Sequence, residues 1–130
     1  MRRRKLLIAD DSEMNRAILA NVLDQEFEVI EATNGQEVII ALQSYGTQIS
    51  ALLLDIVMPE MDGFEVLEEM NRRHWIEDIP TIMISAETSN TYIDRAFELG
   101  ASDYISRPFV PGIVRRRIIN TILLHTKKHQ

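Results

Sequence analysis

Five polar residues in the sequence stand directly after short apolar runs, at points where strands would end. Three are the carboxylates Asp10, Asp11 and Asp55, one is the hydroxyl of Ser85, and one is the guanidinium of Arg107. Carboxylates that lie close together raise one another's pKa, so such a cluster requires a compensating cation. Oxygen ligands with no histidine or cysteine nearby favour Mg²⁺, which often works together with a phosphoryl group.

A phosphoryl group at this cluster would require a nucleophile and groups that bind its oxygens. A carboxylate can attack phosphorus and form an acyl phosphate, and Asp55, at the end of the apolar run "SALLL", is the best candidate. The Ser85 hydroxyl and the Arg107 cation would bind the equatorial oxygens of the transferred group. For any one of these residues alone, a helix cap, a turn or a solvated side chain is the simpler interpretation.

These residues can meet only if the segments before them form one parallel sheet. Apolar runs alternate with segments of helical periodicity, which predicts five strand–helix units joined by right-handed crossovers. The predicted strands are 5–9, 27–32, 50–55, 80–85 and 102–106, and the predicted helices are 13–23, 34–46, 62–73, 91–100 and 110–125. We therefore expect an α/β fold, a three-layer sandwich with a five-stranded parallel sheet in the order 2-1-3-4-5 and helices on both faces (flavodoxin-like). The apolar face predicted for the first helix consists of Met14, Ala17, Ile18 and Val22.

The composition is that of one soluble globular domain. The 130 residues are 45% hydrophobic and 26% charged. No apolar run approaches the roughly 18 residues of a membrane span, and the apolar stretch after the basic start is too short for an export signal. The absence of cysteine excludes disulfides and thiolate metal sites. A cytoplasmic location fits these features.

The net charge of -6 is unevenly distributed along the chain. All 20 acidic residues lie between Asp10 and Asp103, and four of the 14 basic residues share that stretch. An anionic body of this kind is a poor surface for nucleic acid and a suitable one for a cation.

At these residues the chain resembles the receiver domain of two-component response regulators, over about residues 5–123. The motifs, in order, are "ADDS", "LLLDIVMPEMDGFEVL", "IMISA", "GASDYI" and a basic residue before Pro-Phe. The resemblance implies a single receiver domain in residues 1–130, with 124–130 as a basic tail that could begin a linker to an output domain. The chain departs from the family's pattern at Arg107, where the family has lysine. This departure bears on phosphoryl binding and its coupling to the switch, and leaves the fold untouched.

The resemblance implies that Asp55 accepts a phosphoryl group from a sensor histidine kinase or a phosphotransfer protein. It also implies that Mg²⁺ is bound by the carboxylates of Asp10, Asp11 and Asp55 and by the backbone carbonyl of Val57. Such a domain is a signalling module rather than an enzyme, although it takes part in its own phosphorylation and dephosphorylation.

The resemblance also implies which residues contact the phosphoryl oxygens and which residues form the conformational switch that signals downstream. Ser85 and the backbone N–H of Ala86 contact the phosphoryl oxygens, and Arg107 takes the place of the family lysine. Ser85 and Tyr104 form the switch, and the peptide bond before Pro108 is cis. Because a guanidinium can grip a carboxylate through two hydrogen bonds, we expect Arg107 to reach toward Asp55 before phosphorylation.

The expected partners are the kinase or phosphotransfer protein and a C-terminal output domain. A homodimer through the face of the last two helices and the last strand is also allowed. We expect this domain neither to bind nucleic acid directly nor to associate with a membrane.

Two other classes of function stay open at this point. The first is a degenerate receiver, which docks without ever carrying a phosphoryl group; its support is Arg107. The second is an enzyme on the same topology. A flavin carrier would require a Ser/Thr/Gly-rich phosphate loop after the first strand, where residues 10–13 are largely acidic. A haloacid-type phosphatase requires a second aspartate two residues after the nucleophile, where this chain has Val57.

Overall fold

The computed structural model describes residues 3–128, which form five strands, five α-helices and one short 3-10 turn. The strands are β1 (Arg4–Ala9), β2 (Phe27–Ala32), β3 (Ile49–Leu54), β4 (Thr81–Ser85) and β5 (Asp103–Ser106). The helices are α1 (Glu13–Leu23), α2 (Gly35–Tyr45), α3 (Gly63–Arg72), α4 (Asn90–Glu98) and α5 (Pro111–Lys128), and the 3-10 turn is Gly46–Gln48.

The strands form one parallel sheet in the order β2-β1-β3-β4-β5. This confirms the predicted architecture and strand order. Since all neighbouring strands are parallel, their carboxyl ends share one edge of the sheet, and the connections that follow β1, β3, β4 and β5 meet there.

Two apolar cores lie on opposite faces of the sheet, because successive strand residues point to opposite sides. In β1, Leu7 belongs to the core that includes α2, α3 and α4, whereas Leu6 and Ile8 belong to the core that includes α1 and α5. β1, β3 and β4 are therefore covered on both sides, which explains their continuous apolar runs.

The apolar face predicted for α1 is wrong for Met14, Ala17 and Ile18, which are exposed, whereas Val22 packs against the core as predicted. Leu19 and Leu23 are the buried residues of this helix, whereas Met14 is 72% exposed and Ile18 41% exposed. Two apolar stripes with a spacing of four residues run along α1. The helix is rotated so that the leucine stripe enters the core shared with α5, and that choice depends on tertiary packing rather than on periodicity.

α5 is longer than predicted and runs back along the sheet. It continues through Lys128, three residues beyond the predicted helix end at 125 and into the predicted basic tail, while 129–130 lie outside the described residues. Its last turns lie near the starts of β1 and β3, because Ile122 and His125 line one cavity together with Arg4 and Ile49. Within residues 3–128, no helix has the length and apolar character that crossing a membrane requires.

Candidate metal and phosphoryl site

Backbone hydrogen bonds extend the sheet by one residue at two of the strand ends that carry the carboxylates. The Asp10 N–H donates to the Ala32 carbonyl at 3.1 Å, and the Asp55 N–H donates to the Ala9 carbonyl at 3.0 Å. Both aspartates are thereby fixed at the carboxyl edge, where the apolar strands stop and loops begin. This register follows directly from the buried runs that precede them.

The three predicted carboxylates meet at this edge. One carboxylate oxygen from each of Asp10, Asp11 and Asp55 lies within 4.8 Å of the others. Asp10 is 1% exposed and Asp55 3% exposed, while Asp11 faces solvent. A set of oxygen donors that is buried on one side and open on the other fits a hard divalent cation that keeps part of its water, as Mg²⁺ does.

Asp55 is a carboxylate with altered acidity. Burial raises the pKa of Asp55 to about 6, the Arg107 charge opposes this rise, and the Asp10 charge adds to it. The backbone N–H groups of Val57 and Ile56 donate hydrogen bonds to the carboxylate and also oppose the rise. The group is therefore mostly ionised at neutral pH and more basic than an ordinary aspartate.

Arg107 lies over the carboxylates, with its side chain 19% exposed. Its Nη2 forms an ion pair and hydrogen bond with Asp10 Oδ2, and its Nη1 lies 3.5 Å from Asp55 Oδ2. The guanidinium thus reaches Asp55, as expected, but its closer partner is Asp10. The Arg107 Nε is buried and has no hydrogen-bond partner among the described residues. The Arg107–Pro108 peptide bond is cis, as the resemblance implies.

Ser85 and Tyr104 are linked through one backbone segment. Ser85 is fully buried and its Oγ accepts a hydrogen bond from the Glu87 N–H at 3.2 Å. The Tyr104 hydroxyl donates to the Glu87 carbonyl at 2.6 Å. Burial raises the pKa of Tyr104, and a hydrogen bond with Ser85 opposes that rise. Ala86, between Ser85 and Glu87, is exposed at the edge of the site.

Gly63 is a site residue whose role is not evident from the sequence. A Cβ at this position would lie 2.4 Å from the Asp55 carbonyl oxygen and 2.8 Å from the Ile56 Cα. The Gly63 N–H donates to the Ile56 carbonyl at 2.8 Å, and Asp62 caps α3 in a capping box with Glu65. The start of α3 is therefore packed directly against the backbone that carries Asp55. The Asp-Gly dipeptide was the available signal.

Arg16 is a second supporting residue whose role is not evident from the sequence. Its Nη1 donates to the Asp10 backbone carbonyl at 2.6 Å, and its Nε donates to Glu31 at 2.9 Å. Arg16 thus ties the end of β1 to β2. Its position as one of the few basic residues inside the acidic stretch was the only signal in the sequence.

The strand order and the edge location of the carboxylates place the molecule among doubly wound α/β proteins that bind ligands beyond the carboxyl ends of their strands. Within this class, the chain belongs to the response regulator receiver domain family, whose model matches residues 6–119. It is a signalling domain of two-component response regulators.

Individual relatives agree with this assignment. The chain is 40% identical over 114 residues to response regulator RR06 of Streptococcus pneumoniae serotype 2 (strain D39), covering 87% of this chain and 50% of that protein. It is 39% identical over 116 residues to the transcriptional regulatory protein SrrA of Staphylococcus aureus (strain NCTC 8325), covering 88% and 46%. The chain therefore spans about half the length of the curated relatives it matches.

A solved structure shows the same fold. A CheY-like response regulator receiver domain protein from Methanospirillum hungatei JF-1 superimposes with a TM-score of 0.88. The two share 23% identity, and the match covers 97% of this chain and 98% of that chain.

Proposed function

We propose that this receiver domain accepts a phosphoryl group on Asp55 from a phosphohistidine of a sensor histidine kinase or a phosphotransfer protein. The carboxylate oxygen would form the new bond to phosphorus while the bond from phosphorus to the imidazole nitrogen breaks, and the imidazole keeps that electron pair. The observation that carries this proposal is the convergence of three carboxylates, with oxygens within 4.8 Å of one another, at the carboxyl ends of β1 and β3.

The surroundings of the carboxylates favour Asp55 over Asp10 as the nucleophile. Asp10 Oδ1 accepts the Ser12 N–H at 2.8 Å, and Asp10 Oδ2 accepts a charge-assisted hydrogen bond from Arg107. Asp55 lies 3.5 Å from Arg107, and its pKa is raised to about 6. It therefore combines ionisation at neutral pH with higher basicity, which favours attack on phosphorus.

In this proposal Mg²⁺ would be held by Asp10, Asp11 and Asp55, together with the backbone carbonyl of Val57. When bound, the ion would offset the negative charge of the incoming phosphoryl group. The oxygen-only donor set and the open side at Asp11 support this assignment.

The oxygens of the transferred group would be bound by the Ser85 hydroxyl, the Ala86 N–H and the Arg107 guanidinium. If Ser85 turns toward the phosphoryl group, its hydrogen bond from the Glu87 N–H is lost. The same segment accepts the Tyr104 hydroxyl, so its movement would change the setting of Tyr104. Ser85 and Tyr104 are thus proposed as the switch.

The proposed partners follow from the family and from the length of its members. We infer a kinase or phosphotransfer partner in the cytoplasm and a C-terminal output domain, because the relatives are about twice as long as the matched region. A homodimer through α4, β5 and α5 is a further proposal. We also propose that residues 1–130 form a single receiver domain.

A degenerate receiver that docks without phosphorylation is the second candidate function. The observation in its favour is the ion pair between Arg107 and Asp10, which supplies the cluster with a permanent counterion. Such a domain would hold one conformation and would signal through its surface alone.

Incubation with acetyl phosphate and Mg²⁺, followed by intact mass measurement, tests these two functions. We expect the natural chain to gain one phosphoryl group and Asp55→Asn to gain none. Asp94→Asn, which removes an exposed carboxylate on α4, is the matched control and should behave like the natural chain. A full gain by Asp55→Asn would show that another residue is the acceptor, and no gain by the natural chain would favour the degenerate receiver.

A further inference from the structure

Arg107 is paired with a carboxylate that a metal ion would also use. Asp10 Oδ1 accepts the Ser12 N–H at 2.8 Å, and Asp10 Oδ2 is paired with Arg107 Nη2. Asp10 is 1% exposed, so its side chain cannot turn toward solvent to offer another lone pair at low cost. Each oxygen of Asp10 therefore already has a partner, the Ser12 N–H for one and the guanidinium for the other.

The guanidinium spans two of the three carboxylates of the cluster. While Nη2 contacts Asp10, Nη1 lies 3.5 Å from Asp55, and the oxygens of both residues belong to the set that converges within 4.8 Å. The positive charge of Arg107 thus lies beside two of the three carboxylates that would bind a divalent cation.

The contacts of Arg107 are incomplete in a way that favours release. A guanidinium has five N–H donors, and the Nε of Arg107 is buried without a partner in residues 3–128. A buried donor without an acceptor carries a desolvation cost, so charge attraction rather than a full set of hydrogen bonds holds the side chain in place. A second cation that offsets the same carboxylates would remove that attraction.

We propose that Arg107 competes with the metal ion for the Asp10 carboxylate, so that the guanidinium and Mg²⁺ do not contact Asp10 at the same time. Metal binding then releases Arg107 toward the phosphoryl position. This inference rests on the metal site of the proposed function and adds its regulation by a residue of the same chain. Because coupling between two binding events is reciprocal, Arg107 weakens Mg²⁺ binding by the same factor by which Mg²⁺ weakens the contact between Arg107 and Asp10.

The side chain at position 107 should set the strength of this competition. An arginine fork can contact two carboxylates at once, whereas a lysine ammonium acts as a single point charge on a shorter reach. Arg107→Lys should therefore compete less than arginine does, and Arg107→Gln should not compete at all.

Isothermal titration of MgCl₂ into the metal-free domain measures the competition. We expect Arg107→Gln to bind Mg²⁺ at least about fivefold more tightly than the natural chain, the lower end of common coupling factors, with Arg107→Lys in between. Arg115→Gln removes an arginine that pairs with Glu26 on the surface and is the control for net charge. It should change the affinity by less than about twofold, because distant exposed charges are screened by salt. Equal or weaker binding by Arg107→Gln would overturn the proposal.

A second measurement uses the natural chain and does not depend on how a variant folds. The side-chain Nε–H signal of Arg107 in a ¹⁵N correlation spectrum reports on its surroundings. We expect it to shift during the MgCl₂ titration with the midpoint found by calorimetry, while the Nε–H signal of Arg115 stays in place. An Arg107 signal that is unchanged at metal saturation would mean that the guanidinium keeps Asp10, and the inference would be wrong.

Phosphorylation by acetyl phosphate at saturating Mg²⁺ separates this inference from the proposed function. Tighter metal binding by Arg107→Gln, with no phosphoryl group on the natural chain, keeps the inference and overturns the proposed function. Phosphorylation of the natural chain with equal metal affinities does the reverse. If none of these chains binds Mg²⁺ at millimolar concentration, both are overturned.

Discussion

Asp55→Asn should stabilise the metal-free domain at neutral pH, although it removes the proposed acceptor. Asp55 is 3% exposed, and its pKa is raised from 3.8 to about 6, chiefly by burial. A pKa difference of this size corresponds to at most about 3 kcal/mol. Because the carboxylate lies at the open edge of the sheet, solvent screening should reduce the gain to about 1–2 kcal/mol. Asparagine keeps an oxygen that can accept the backbone N–H bonds of Val57 and Ile56.

The stability difference between Asp55→Asn and the natural chain should depend on pH, because the pKa of Asp55 is raised in the folded state. Since the folded state holds the proton more tightly, the cost of the charged Asp55 is absent below the unfolded pKa near 3.8. It grows as the pH rises from there to about 6, and it is complete above the folded pKa. The difference in the free energy of unfolding between Asp55→Asn and the natural chain should therefore be largest above pH 6 and should vanish near pH 3.8.

Urea unfolding in the presence of a chelator, followed by circular dichroism at several pH values, is the assay. Asp94→Asn serves as the control for loss of an exposed carboxylate. Mg²⁺ at about ten times its dissociation constant should stabilise the natural chain by about 1.4 kcal/mol and Asp55→Asn by less. An Asp55→Asn domain that is equally stable or less stable than the natural chain at neutral pH, without metal, would refute the argument from burial.

Two further substitutions test how the site is supported. Gly63→Ala should destabilise the domain by about 1–3 kcal/mol through overpacking, because its Cβ would meet the Asp55 carbonyl at 2.4 Å. Gly112→Ala on α5 meets open space and should be neutral or stabilising by up to about 1 kcal/mol in the same urea unfolding experiment; equal effects of the two would contradict the packing argument. Tyr104→Phe removes the 2.6 Å hydrogen bond to the Glu87 carbonyl and should lower the free energy of unfolding by about 1 kcal/mol. An unchanged value would show that this bond contributes nothing to stability.

The fold and the meeting of the carboxylates could be predicted because the determining signals are local and strong. β1 and β3 are continuous apolar runs that must be covered on both faces, and each is followed at once by aspartate. Parallel pairing then places Asp10 and Asp55 at one edge whatever the loops do. The face of α1 was not predictable in the same way, because two apolar stripes compete and α5 decides between them.

The side-chain contacts within the site could not be predicted, because they depend on differences in distance that are smaller than the length of a side chain. The sequence places Arg107 at the correct edge, but whether its guanidinium is closer to Asp10 or to Asp55 depends on geometry across three loops. The role of Gly63 is hidden for a related reason. A sequence shows the missing Cβ but does not show the Asp55 carbonyl that this Cβ would meet.

Because of the course of α5, the carboxylate cluster and the last described residue lie at opposite edges of the sheet. α5 begins five residues after β5 ends, near the carboxyl edge, and its 18 residues run back to the opposite edge, where Ile122 lies beside Arg4 and Ile49. At about 1.5 Å per residue this helix is roughly 27 Å long. A segment that continues α5 would therefore begin near the edge of the sheet opposite to the one that carries Asp55. Its first residues would therefore lie far from the proposed phosphoryl position, and a change at Asp55 would reach them through a displacement along α5.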